Sequence, residues 1–164
     1  MRKIDSLLSE YGESHQNQTN KIIHWFCVPA IFFSVVGLVW SIPSGFLQNN
    51  VAASPYANWA TITLVFVLAY YIALSLPLAL GMTAFSILCL YLANTISQLG
   101  IAPMWVISIG IFILAWVVQF YGHKIEGKKP SFLKDVQFLM IGPAWLMHFI
   151  YKNYNVNCDS FHYL

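Results

Sequence analysis

Five histidines, at positions 15, 24, 123, 148 and 162, are the residues of this chain best suited to chemistry. Imidazole is the commonest transition-metal side-chain ligand. Three or four imidazoles around an ion with an open position suit Fe(II), Zn(II) or Cu(II). His24 and His123 stand at the two ends of a stretch, Ile22 to His123, that has no Asp, Glu, Lys or Arg. If an even number of helices fills that stretch, both ends return to one membrane face. His15, His24 and His123 then share an interface, and His148 joins them if the last apolar segment folds back. The plainer alternative for each histidine alone is a hydrogen-bonded interfacial side chain; their common placement favours a metal site.

Other polar groups fall at helical spacings from these imidazoles. Glu126 is three positions past His123, and the two point to one face if the helix continues through them. Glu126 is a candidate ligand, a carboxylate that orients a ligating imidazole, or a general base. An ion pair with Lys128 or Lys129 is the competing reading. Asn20 lies four residues before His24, and Gln119 four before His123. Their amides could hydrogen-bond a bound water or a substrate carboxylate, although Asn20 also reads as a helix N-cap. Tyr11 could donate a hydrogen bond into the site or anchor the interface.

The elements that must position these groups are membrane helices. The 164-residue chain is 59% hydrophobic and 9% charged, with mean hydropathy +0.65. Soluble domains carry about 25% charged residues. The charge-free stretch is about five times the ~20 apolar residues that span a bilayer. An all-α integral membrane bundle forming one domain, residues 1–164, is expected. It comprises an N-terminal segment (1–21), four spans within 24–121, a charged loop (122–135) and a short fifth apolar segment (136–151). The spans read as 24–40, 59–76, 78–96 and 104–121. Residues 41–58 form a polar break, and Pro77 with Gly81 marks a corner. Residues 4–13 suit a short helix lying on the membrane. The sixteen-residue fifth segment could span thinned lipid, re-enter or lie against the bundle. Gly142 and Pro143 within it suggest a break that protein must resatisfy.

Arg2, Lys3 and Lys21 precede the first span, and Lys124, Lys128, Lys129 and Lys134 follow the fourth. The positive-inside bias therefore places the N-terminus and the 122–135 loop in the cytoplasm. The polar N-terminus lacks a cleavable signal pattern, so the first internal helix is expected to direct insertion. The chain has no endoplasmic-reticulum retention tail, which favours a bacterial inner membrane over the endoplasmic reticulum. A net charge of +2 is too small to suggest nucleic acid. Cys27, Cys89 and Cys158 are odd in number and widely spaced, which suits free thiols. No GxSxG, Walker A or GxGxxG motif occurs, and there are too few histidines for the eight-ligand scheme of di-iron membrane hydroxylases. No ionisable residue lies in the middle of the first four spans, against an ion transporter.

Two separated motifs carry a family resemblance. One is Tyr11-x3-His15-x4-Asn20-x3-His24-x4-Pro29. The other is Gln119-Phe-Tyr-Gly122-His123-x2-Glu126-Gly-Lys-Lys-Pro130. In this order, with four or five spans between and after them, they resemble the Mpo1-like (DUF962, YGL010w-like) membrane proteins over nearly the whole chain. The resemblance implies an Fe(II)-dependent dioxygenase that shortens 2-hydroxy fatty acids by one carbon, as in fatty-acid α-oxidation, using O2. It implies His15, His24 and His123 as iron ligands with Glu126 close by. The family's last motif pairs a proline with an acidic residue. GPAWLMH puts His148 near that place, as a fourth ligand, a substitute for the acid, or neither. A lipid substrate would place its head at the metal and its tail between apolar helices. The alternatives are a non-catalytic lipid-binding or assembly protein and a zinc-dependent lipid hydrolase.

Overall fold

The computed structural model describes residues 17–127 together with Gly142, Pro143, Leu146 and Met147. The described residues form helices and turns without strands. Helix α1 covers Gln18–Trp40, α2 Gly45–Asn50, α3 Trp59–Leu74, α4 Leu76–Leu99 and α5 Met104–Glu126. Three of them, α1, α4 and α5, are long and apolar enough to cross a membrane, while α3 is a shorter apolar helix of 16 residues.

Several boundaries differ from the sequence reading, each for a local reason. α1 starts at Gln18 because Asn17 caps it: its side-chain oxygen accepts from the backbone N–H of Thr19 at 2.9 Å and of Asn20 at 3.4 Å. Such a cap contributes about 1 kcal/mol. Asn20 is therefore not the cap but lies inside the first turns, fully buried. At the other end α5 runs five residues into what was read as loop. Residues 122–126 are helical, and the stop is Gly127, whose left-handed backbone (φ 72°) ends the helix. The polar break at 41–58 holds the short helix α2. The corner between α3 and α4 is at Ser75, whose extended backbone breaks the helix. Pro77 sits in the first turn of α4, where its missing N–H leaves no bond unmade. Gly81 is simply inside α4.

The core has two parts. Val28, Phe32 and Val36 of α1 pack with Ala60, Leu64 and Tyr71 of α3, with Leu78, Ala79, Met82 and Cys89 of α4, and with Leu146. The described part of the fifth segment, helical at Gly142–Pro143 and Leu146–Met147, thus lies against the bundle. A second seam joins α1 to α5 through Cys27, Ile31, Ala115 and Trp116. Cys27 and Cys89 are buried free thiols, as expected. The surface is apolar instead of the core alone: Phe26, Phe66, Ile72, Leu80, Leu114 and Val117 are all exposed. That inversion is what lipid as a solvent requires.

Candidate metal centre

The polar site is built where α1 begins and α5 ends. Two glycines set how these helices meet. At Gly122, a Cβ would collide with Oδ1 of Asn20 and come within 3.3 Å of Ile23. At Gly37, a Cβ would collide with Oγ of Ser108 and come within 2.6 Å of Met104 Cε. The start of α1 therefore faces the end of α5, and the end of α1 faces the start of α5: the pair is antiparallel. Small residues at such seams allow the close backbone approach from which membrane helices derive their packing.

This approach brings the two ends of the charge-free stretch together. His24 and His123 lie with ring centroids 5.0 Å apart and planes at 79°. Both are buried, as are Asn20 and Gln119. Nδ1 of His24 is 2.9 Å from the backbone carbonyl of Asn20, one turn earlier. An N–H on Nδ1 donates that bond, so the lone pair is left on Nε2 and the ring is fixed in orientation. Gln119 lies one turn before His123 on the same face of α5.

The separation of the imidazole pair is compatible with shared ligation and equally with an edge-to-face ring contact. With metal–nitrogen bonds of about 2.1 Å at adjacent positions, two imidazole centroids would be roughly 4.6–5.4 Å apart. The observed 5.0 Å falls inside that interval. The backbone bond to His24 is the outer partner that ligating histidines usually have. The two described imidazoles therefore fit half of an N-donor metal site. Among the described residues, no three His, Cys, Asp or Glu side chains converge.

Of the other candidates, Glu126 is the last residue of α5, three positions past His123, so the helix does continue through both as their spacing allowed. His15, Tyr11 and His148, and the surface helix expected at 4–13, lie outside the described residues. Two residues have roles that the reading of the sequence did not assign to them. Asn17 caps the helix that carries His24, for which its amide type and position before the apolar run were the available signal. Gly122 permits the helix contact, and its only signal was its place beside His123.

Comparisons with known proteins identify the family. A family model described as "Mpo1-like: 2-hydroxy-palmitic acid dioxygenase Mpo1-like" matches residues 1–154. The chain is 27% identical over 152 residues to the 2-hydroxy-palmitic acid dioxygenase MPO1 of Saccharomyces cerevisiae, covering 91% of this chain and 80% of the yeast protein. No solved structure matches. With a family match running through both motifs and all five described helices, this chain is a member of the Mpo1-like family.

Proposed function

We propose that this protein is a membrane-embedded, Fe(II)-dependent dioxygenase that shortens 2-hydroxy fatty acids by one carbon. The observation that carries the reading is the buried His24–His123 pair at one end of an apolar bundle, in a chain of the Mpo1-like family. His24 and His123 would hold the ion, with His15, His148 and Glu126 as the candidates to complete the set. Ferrous iron, when bound, offers open positions to a chelating 2-hydroxy carboxylate and to O2.

The chain's own residues have distinct tasks in this reading. The Asn20 carbonyl accepts from Nδ1 of His24, leaving Nε2 as the nitrogen that would hold the ion. The Gln119 and Asn20 side chains, both buried and each one turn before an imidazole, would hydrogen-bond the substrate's carboxylate and hydroxyl. Tyr11 is a further candidate donor. The apolar helices exclude water from one side and accept the alkyl tail. Transfer from lipid to such helices changes the tail's surroundings little, so selection for the 2-hydroxy acid rests mainly on its chelating head.

The reaction balances without another reductant. Oxidation of the C2 alcohol carbon to a carboxyl, with C1 leaving as CO2, releases four electrons. These reduce one O2, giving the shortened acid, CO2 and water. The expected result, after anaerobic purification and measurement of bound metal, is about one iron per chain. Oxygen uptake with 2-hydroxypalmitate then matches CO2 release one to one. Zinc at that ratio with O2-independent turnover would replace this reading with the lipid hydrolase. No metal after Fe(II) reconstitution would leave a lipid-binding protein.

The same reading includes four crossings. Because α5 runs opposite to α1, α3 and α4 must both cross between them or neither can, and α4 is long enough to span. The 16-residue α3 then crosses where lipid is thinned or the helix is covered by protein. Lys21 and Lys124 lie at the same end of the bundle, which the positive-inside bias puts in the cytoplasm. A thiol introduced by Ser75→Cys, at the corner between α3 and α4, should react with an impermeant reagent only from the cytoplasmic side, and one at Gln48→Cys only from the opposite side. Labelling of Ser75→Cys from the same side as Gln48→Cys would refute four crossings.

A further inference from the structure

A second feature of the bundle has no part in holding a metal. Between α1 and α3 lies a partly enclosed cavity of about 180 Å³, lined by Phe32, Val35 and Val39 on one side and Ala60, Thr63 and Val67 on the other. Its wall is wholly apolar; Thr63 contributes no polar surface. An aliphatic-lined cavity of about 150 Å³ is enough to hold benzene, so this one has room for about six to eight carbon atoms.

Its position relates it to the imidazoles. Residues 24, 28, 32, 36 and 39 follow one another at helical spacing, so the cavity lies along the stripe of α1 that begins at His24. At 1.5 Å per residue, Phe32 is about 12 Å and Val39 about 22 Å from His24 along the axis, and an extended alkyl chain advances about 1.3 Å per carbon. A chain held by its head at the imidazoles would bring roughly its ninth to seventeenth carbons level with the cavity. The cavity has room for most of that length of tail, roughly six to eight of about nine carbons. We infer that the α1–α3 cavity receives the terminal carbons of a long-chain acyl substrate and so measures its length. This rests on the head being held at His24 and His123, as proposed above. The occupant is the substrate tail, as opposed to the chain of a bulk membrane lipid.

The test uses the full-length protein in lipid nanodiscs. A 2-hydroxypalmitate probe carrying a diazirine near its terminal carbon is photolysed and the labelled peptides are identified. The expected result is labelling of residues 32–39 and 60–67 that excess 2-hydroxypalmitate suppresses and excess 2-hydroxyoctanoate does not. Labelling that neither acid suppresses would mean a bulk lipid chain occupies the cavity and would overturn the proposal, as would labelling confined to other segments. Turnover gives a second readout. Val39→Phe, filling the cavity from a half-buried position, should lower kcat/KM for 2-hydroxypalmitate at least tenfold and leave 2-hydroxyoctanoate unchanged. Thr63→Phe, from the opposite wall, should do the same. An unchanged chain-length profile in both folded variants would overturn the proposal. Absence of turnover in the wild type would instead sink the dioxygenase reading, and the labelling pattern would still decide the cavity.

Discussion

His123→Ala and His24→Ala should each remove most of the bound metal and lower turnover at least about a hundredfold, beyond the 10–100-fold typical of outer-shell partners. The reason is geometric. The two imidazoles come from helices at opposite ends of the chain and are held 5.0 Å apart within a buried seam, so no neighbouring nitrogen among the described residues can take the place of either. The two variants should differ in stability. Without the His24 ring, the Asn20 carbonyl loses its side-chain donor but keeps whatever bond the helix gives it, so the added cost should be small. Both variants should remain folded, because Cys27, Ile31, Ala115 and Trp116 hold the seam below them. Elemental analysis with oxygen uptake on Fe(II)-reconstituted protein checks the first statement, and thermal unfolding in detergent checks the second. Full activity in a metal-replete His123→Ala protein would overturn the assignment.

Gly122→Ala has the second-largest expected effect, and it acts without removing any ligand. The new Cβ meets Oδ1 of Asn20 and two carbons of Ile23 at 3.3 Å, both on the rigid first turns of α1. The intrinsic helix preference of alanine over glycine, about 1 kcal/mol, works against an overpacking cost of about 1–3 kcal/mol, so net stability changes little. Geometry at the site changes more. Asn20 is the residue whose carbonyl orients His24, and displacing it moves one imidazole relative to the other. Metal affinity should fall about 10–100-fold, as for loss of an outer-shell partner. Gly37→Ala is the matched control. Its Cβ also collides across the α1–α5 seam, but with Ser108 and Met104 at the far end. Seventeen residues of α1, about 26 Å, separate that point from Asn20. It should therefore leave metal affinity intact. Equal loss of affinity in the two variants, measured by Fe(II) titration, would show that general loosening of the seam and not local positioning is responsible.

Much of the architecture was legible because the membrane imposes a compositional rule. A hundred residues without a formal charge can only be apolar helices, and aromatic and cationic residues mark where they end. The convergence of His24 and His123 was expected only on the condition of an even number of crossings; the antiparallel contact of α1 with α5 is what brings the pair together. The helical relations Asn20–His24, Gln119–His123 and His123–Glu126 were open to reading, since they depend only on 3.6 residues per turn.

Contacts between helices had no such rule. Which amide caps α1 depended on a single competition between Asn17 and Asn20, and only the backbone path decided for Asn17, leaving Asn20 to bind His24 through its carbonyl. The continuation of α5 through residues 122–126 ran against a charged, glycine-containing sequence that reads as loop; packing of Gly122 on Asn20 holds the helix there until Gly127 stops it. The cavity between α1 and α3 is set by the sizes of side chains on two helices that the sequence does not pair. So the sequence by itself determined the all-helical class, the apolar character of the segments and the helical spacings of the polar residues, because these follow from periodicity and transfer energy along one chain. The tertiary structure alone decided the 5.0 Å imidazole pair and the space between α1 and α3, because these depend on how closely helices from distant parts of the chain can approach.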